Sequence, residues 1–410
     1  MLRIKNGQWK HDLELRDCLA TYVARRLRRH EIIDFVRDQF REYSWSLRSL
    51  DRRMSFFDIK YTDYTIDIGR LRNAIQEELQ GPGRLLGYRA MHQKVREIHH
   101  LNVPRDLVYA VMQELDASGL EERGGVGKPK RPRRERNFHS EGSDYTLSLD
   151  GHDKLCGYQK STFPLCVYGG QDTYSGRIQF LKVSTSNNDP KIIGKYYLEY
   201  LYETRRLPIR LRVDRGTETG DMTTMHCYLI DKYLEVEDAT AFVLYGPSTE
   251  NKIERFWRDL HHRLEIYFKK QISGLLENGD YDPSNEKDRL LLAYVYIPII
   301  QKELDIFRET VWNNHRCRRN NNKQLPTGIP EHLYFYPEKY GGVNCSLKVS
   351  DNDLNEVADL ANIGEVNYLT DDFRDECMRH IDPTEICSND ADKAYLFLKT
   401  NFNPANVASS

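Results

Sequence analysis

The amino-acid sequence predicts an α/β chain, with a mixed five-stranded sheet and flanking helices preceded by an all-α region. Three observations support this. Five strand-like runs lie between Tyr145 and Tyr245, helical patterns separate the later ones, and residues 1–123 show apolar spacing of helical period.

The front half reads as helices in pairs. Ile32, Ile33, Phe35, Val36 and Phe40 mark one helix. After Ser44-Trp-Ser a second helix begins, carrying Arg48, Arg52 and Arg53. Helix, short turn and a basic second helix match a helix-turn-helix unit, whose second helix can enter a DNA major groove. A second such unit runs from Gly87-Tyr-Arg-Ala-Met-His to a helix after Asn102-Val-Pro-Arg, with Leu107, Val108, Val111 and Leu115 as its buried stripe. Pro104 suits a first helical turn, and Arg105 follows it at the exposed start.

A basic linker over 124–140 comes next. Lys128, Lys130, Arg131, Arg133 and Arg134 stand among prolines, an extended, like-charged composition suited to phosphate contact or to nuclear import. The first strand is Tyr145 to Asp150, where Tyr145, Leu147 and Leu149 alternate with Thr146, Ser148 and Asp150. Phe163 to Asp172 and Gly176 to Ser184 form a meander through a Tyr-Ser-Gly turn. Asp189-Pro190 opens a helix through about Arg206. Ile209 to Asp214 alternates again, Met222 to Leu234 reads as helix, and Ala239 to Tyr245 as a short strand. A helix from Thr249 then sets Ile253, Phe256, Trp257, Leu260, Leu264 and Phe268 on one stripe.

Within this frame Asp150 and Asp214 leave on the polar face at the ends of two strands, and Glu254 enters a helix. Two strand-end carboxylates and one helix carboxylate could hold a pair of Mg²⁺ ions, or Mn²⁺, over a phosphodiester, because hard oxygen ligands suit such cations. Glu250 is the rival third acid, with thirty-five residues between it and Asp214, and shares a helix face with Glu254. Asp153 is a lesser rival to Asp150, since Gly151 and His152 suggest that the strand has ended.

The order strand-strand-strand-helix-strand-helix-strand-helix is that of an RNase H-like fold. The stretch from 145 to 270 resembles the core of the DDE integrases of retroviruses, retrotransposons and related transposons. The residues that carry the resemblance are Asp150 on a leading strand, Asp214-x-Gly-Thr-Glu after the fourth strand, and Pro247-Ser-Thr-x-Asn-x-x-Glu-Arg before the last helix. Trp312-Asn-Asn-His-Arg and Pro326-Thr-Gly-Ile-Pro-Glu resemble the tail of that domain. Glu254 has the family's offset from the preceding proline and so is preferred to Glu250. The resemblance implies Mg²⁺-dependent attack of water or a DNA 3′-hydroxyl on a phosphodiester, with Asp150, Asp214 and Glu254 as catalytic metal ligands. It places Asn251 in the loop before the last helix and Arg255 and Arg258 near the DNA backbone. The front region also resembles the helix-turn-helix that precedes the core in several bacterial insertion sequences.

Composition bounds the partners. Lys and Arg number 60 against 62 Asp and Glu, a net of −2. That balance hides an asymmetry of about +8 over residues 1–140 and about −9 over 331–410, and a basic front suits duplex DNA. No apolar run is long enough for a membrane span. Eight cysteines without a C-x-x-C argue against a disulfide framework. His99 and His100 have no such pair downstream and the nearest cysteine is Cys156, so no zinc site is expected, and the zinc domain that precedes retroviral cores is missing from the expectation. The expectation is a nuclear integrase- or transposase-like protein acting as a homo-oligomer, with a helical region 1–123, the linker, a catalytic core 141–330 and an acidic region 331–410. The alternative is a non-enzymatic DNA-binding protein whose core serves as a dimerisation or partner module. A nuclease acting on RNA–DNA hybrids is disfavoured, because helix-turn-helix units read duplex DNA.

Overall fold

The computed structural model describes residues 7–124, 140–157, 162–246, 252–317, 325–364 and 367–407. They fall into two compact units, Met1–Pro132 and Arg133–Ser410. Lys128, Lys130, Arg131, Arg133, Arg134, Glu250 and Asn251 lie outside the described residues.

The first unit is helical: α1 Leu13–Ala24, α2 Arg29–Gln39, α3 Leu47–Phe56, α4 Ile68–Gln80, α5 Tyr88–Glu97, α6 Arg105–Leu115 and α7 Ala117–Gly124. Ser46 caps α3 and shares a reciprocal pair of bonds with Ser49, satisfying amides that a helix start leaves bare. One cluster, with Leu71, Ile75, Met91, Val95, Val108, Val111 and Met112, joins α4, α5 and α6. The buried Arg96 of α5 donates to the carbonyls of Val23 and Ala24, at the end of α1, where a cation and spare carbonyls suit each other.

The second unit contains β1 Gly142–Ser143, β2 Thr146–His152, β3 Cys166–Asp172, β4 Ile178–Ser184, α8 Pro190–Thr204, β5 Arg206–Leu207, β6 Arg210–Val213, α9 Gly220–Leu234 and β7 Val243–Tyr245. Then come α10 Glu254–Leu260, a π-helical turn His261–Glu265, α11 Ile266–Glu277, α12 Glu286–Ile306 and α13 Pro330–Phe335. β8 Val343–Asn344, β9 Leu347–Lys348, α14 Asp351–Leu360, α15 Asp371–Met378 and α16 Ala391–Asn401 complete it. The main sheet runs β4-β3-β2-β6-β7, antiparallel through β2, β3 and β4 and parallel through β2, β6 and β7. This is the five-stranded mixed sheet of an RNase H-like α/β fold.

One expectation about β2 needs correcting. The strand does not end at Asp150 but continues through Gly151 and His152, which pair with Tyr168 and Val167. Nor is its polar face open to water. Leu147 and Leu149 pack with α8, α9 and α14, while Ser148, Asp150 and His152 on the opposite face are buried as well.

Two carboxamides finish the edge strand β4. Asn313 accepts from Ile178 N at 2.8 Å and donates to Ile178 O at 2.9 Å. Gln301 accepts from Val183 N and donates to Leu181 O. Both pairs take up strand groups that would otherwise template association. The acidic region belongs to this unit: Tyr334 of α13 donates to the buried Asp144, and Lys399 of α16 bonds Asp288 at 2.7 Å.

Candidate active site

The site grows from strand register. Thr146, Leu147 and Ser148 of β2 lie beside Arg210, Leu211 and Arg212 of β6, in parallel. Two residues further along each strand stand Asp150 and Asp214, so the same register sets them side by side on one face. Asp214 follows the last paired residue of β6, where the chain turns into the Thr217–Thr219 helical turn. Glu254 opens α10, whose Phe256, Trp257 and Leu260 are buried, Trp257 over Asp150 of the sheet and Phe256 against Trp312.

Asp150 is 7% exposed. Trp257 Nε1 donates to its Oδ2 at 3.1 Å. Gly169 makes that approach possible, being the cross-strand partner of Asp150. A Cβ there would stand 3.0 Å from the Trp257 ring. Burial pushes the Asp150 carboxyl up to about 8, and the charges of Glu254 and then Asp214 push the same way, against the pull of the Trp257 bond. These causes are a desolvated acid beside two like charges. The structure therefore brings Glu254 and Asp214 within electrostatic reach of Asp150. Among the described residues two other sets hold their ligand atoms within 4.8 Å, His152/His261/Glu265 and Asp153/Cys156/Cys166. The three acids are spread more widely than either.

The donor set fits divalent cations. Three carboxylates supply hard oxygens, and their repulsion at Asp150 is the electrostatic deficit that a cation would fill. Glu218 belongs to the same neighbourhood, since burial raises the Tyr168 phenol and the charges of Asp150, Glu218 and Asp214 add to the shift. Neither it nor Trp257 was among the candidate site residues, although Glu218 closes the Asp214-x-Gly-Thr-Glu run. Asp153 accepts from Asn187 at 3.4 Å and lies with Cys156 and Cys166.

The candidate DNA contacts divide by exposure. Arg255 and Arg258 are exposed on α10, and Arg48, Arg52 and Arg105 are exposed in the first unit. Arg53 is 3% exposed, with its guanidinium 4.1 Å from the Trp45 ring centre and a bond to Ser44 O. It holds its own unit together and is not available to a phosphate. Among the described residues no helix is long and apolar enough to cross a membrane.

Residues 139–335 match the family model described as an integrase core domain. A search of curated proteins finds no match. The matched segment spans the main sheet and the three acids and ends with α13.

Proposed function

We propose that the integrase core domain formed by residues 139–335 cuts and joins DNA, through divalent-metal-dependent attack of water or a DNA 3′-hydroxyl on a phosphodiester. The chain is integrase- or transposase-like through that domain, and such domains generally use divalent metal ions. The observation that carries the proposal is the buried Asp150 under the charges of Glu254 and Asp214. A cluster so unfavourable to itself has a reason to persist if its charge is used.

In this reading Asp150, Asp214 and Glu254 would hold two Mg²⁺ or Mn²⁺ ions, which would supply stabilisation of the attacking and leaving oxygens of an in-line displacement. Trp257 fixes the Asp150 carboxylate through one oxygen and leaves the other to turn toward the ligand. The nucleophile's oxygen bonds to phosphorus, its proton passes to solvent, and the 3′-oxygen of the scissile bond leaves. The chain forms no covalent intermediate. Arg255 and Arg258, exposed on α10, meet the DNA backbone. The first unit contributes duplex binding through Arg48, Arg52 and Arg105, and the run from Lys128 to Arg134 serves phosphate contact and entry to the nucleus. Joining two DNA ends needs two such sites, hence a homo-oligomer.

The test is a strand-transfer assay on end-labelled duplex with Mg²⁺ or Mn²⁺. Asp150→Asn, Asp214→Asn and Glu254→Gln should each abolish nicking and joining while fold and DNA binding persist. A wild-type protein that binds DNA and never cuts or joins it on any end tried would leave the non-enzymatic alternative. A Glu254→Gln variant as active as wild type would pass the third role to Glu250.

A further inference from the structure

A second cluster lies one side chain away from the three acids and uses none of them. His152 follows Asp150 by two residues on the same face of β2, and its ring stacks on Trp257 with centroids 4.8 Å apart and planes 7° from parallel. His152 Nε2 lies 2.9 Å from Glu265 Oε2, and His261 Nδ1 lies 3.1 Å from the same oxygen. The three ligand atoms all fall within 4.8 Å of one another. His261 and Glu265 are the first and last residues of the π-helical turn between α10 and α11, and such turns gather at functional sites.

Glu265 is 1% exposed, and its Oε1 has no hydrogen-bond partner. A carboxylate buried only for an ion pair would share its rings between two oxygens. Here both imidazoles converge on one oxygen and the other is bare, and a buried orphan of that kind asks for an absent ion. Ligands about 2.0–2.1 Å from a tetrahedral zinc stand about 3.3 Å apart. The 2.9 and 3.1 Å edges of this cluster come close to that spacing. Two imidazole nitrogens and a carboxylate form a donor set that selects zinc over magnesium.

We propose that His152, His261 and Glu265 form a zinc site, separate from the three acids, that ties β2 to the α10–α11 helical stretch. Zinc there would take the lone pair of each facing imidazole nitrogen, and any proton on that nitrogen would pass to the other ring nitrogen or to solvent. His261 is only partly buried, so water completes the fourth position. The stack fixes His152 against Trp257, and Trp257 holds Asp150. The ion therefore braces the wall of the neighbouring site without entering it.

The experiment uses the full chain with any tag removed, loaded with Zn²⁺, dialysed against metal-free buffer and assayed by elemental mass spectrometry. About one zinc per chain is expected. His261→Asn and Glu265→Gln should lower retention by about tenfold or more, and Asp150→Asn should leave it unchanged. Co²⁺ in place of zinc should give visible bands of a tetrahedral nitrogen–oxygen site without a thiolate charge-transfer band. This spectrum, read on the wild type, decides the matter even if Glu265→Gln does not fold. Folded wild type that retains no zinc overturns the proposal. So does a thiolate band that Cys156→Ser removes, which would move the ion to Asp153, Cys156 and Cys166. Neither result bears on whether the three acids cut DNA.

Discussion

Trp257 Nε1 donates to Asp150 Oδ2 across 3.1 Å, joining residues 107 positions apart. The bond stabilises the charged carboxylate that its neighbours oppose. Indole is a donor only, so it can fix the carboxylate and cannot compete for its proton.

Trp257→Phe removes the donor and keeps most of the ring volume. The expected outcome is a folded protein whose metal-dependent strand transfer falls about tenfold, as losses at supporting shells of metal sites do. Raising Mg²⁺ should recover part of the rate. Activity equal to wild type at limiting Mg²⁺ would show that the bond does not position Asp150.

Gly169 lies across from Asp150 and beneath the same indole. A Cβ there would sit 2.7 Å from Leu181 Cδ2 and 3.0 Å from Trp257. Gly169→Ala should cost about 1–3 kcal/mol by overpacking, read as a lower urea midpoint with an unchanged slope. Gly151→Ala is the control, because its Cβ would first meet the Asn187 amide at 3.1 Å, a side chain that can give way.

Much of this sheet is legible in sequence because alternation reports one buried face. Leu147, Leu149, Leu211 and Val213 are visible in that way, and all four are buried in one cluster. The second face of β2 is invisible to the same logic. Asp150 and His152 look solvent-facing until Trp257 meets them from a distant helix, and Ser148 until Thr173 shares a bond with its hydroxyl. Gly151 suggests a strand end, yet pairing with Tyr168 overrides its weak local propensity. Arg53 shows the converse. Its helical spacing matches that of Arg52, but Trp9, Tyr43 and Trp45 surround its guanidinium, and nothing in a local window reveals such a cage.

The Trp312-Asn-Asn run has a structural role that its resemblance does not state. Trp312 donates to Gly176 O at 2.9 Å, and Asn313 pairs with both backbone groups of Ile178. Asn313→Ala should destabilise the second unit by about 1–3 kcal/mol through orphaned strand groups. Light scattering should show more self-association as the edge of β4 opens. An equally stable, monodisperse variant would mean that water replaces the amide at no cost.

Two buried histidines set an acid limit. Burial lowers His226 to about 3, where its Nδ1 shares a 2.8 Å bond with Tyr197. Burial lowers His92 to about 4, beside Val103 O at 2.9 Å. Both folded values lie below the ordinary 6.5. The unfolded chain therefore binds more protons below that pH, and the stability present above 6.5 drains away as pH falls toward 4 and then 3. The slope is up to about 1.4 kcal/mol per pH unit for each histidine. His226→Leu should flatten the dependence in the second unit, at the cost of the Tyr197 bond, and His92→Leu in the first. Asp150, raised to about 8, gains stability as pH falls over the same range, so urea titrations at pH 7, 6, 5 and 4 are read as the difference between each variant and wild type, and a difference that does not change with pH would contradict that histidine's burial.

The last prediction separates charge from packing on α3. Arg48 and Arg52 are exposed, whereas Arg53 is enclosed. If α3 meets phosphates, each exposed arginine releases about one counterion, so Arg48→Ala with Arg52→Ala should reduce the slope of log K against log salt by about 2. The melting temperature should barely move, although Arg52 also lies over Trp9 and so adds a small packing term. Arg53→Ala should do the reverse. Losing a desolvated cation on several rings costs about 2 kcal/mol, while the salt slope of whatever remains folded is unchanged. Fluorescence anisotropy on a labelled duplex across a salt series, beside thermal melts, reads both quantities on the same three proteins. A double variant with an undiminished salt slope would show that α3 supports the unit and does not touch DNA.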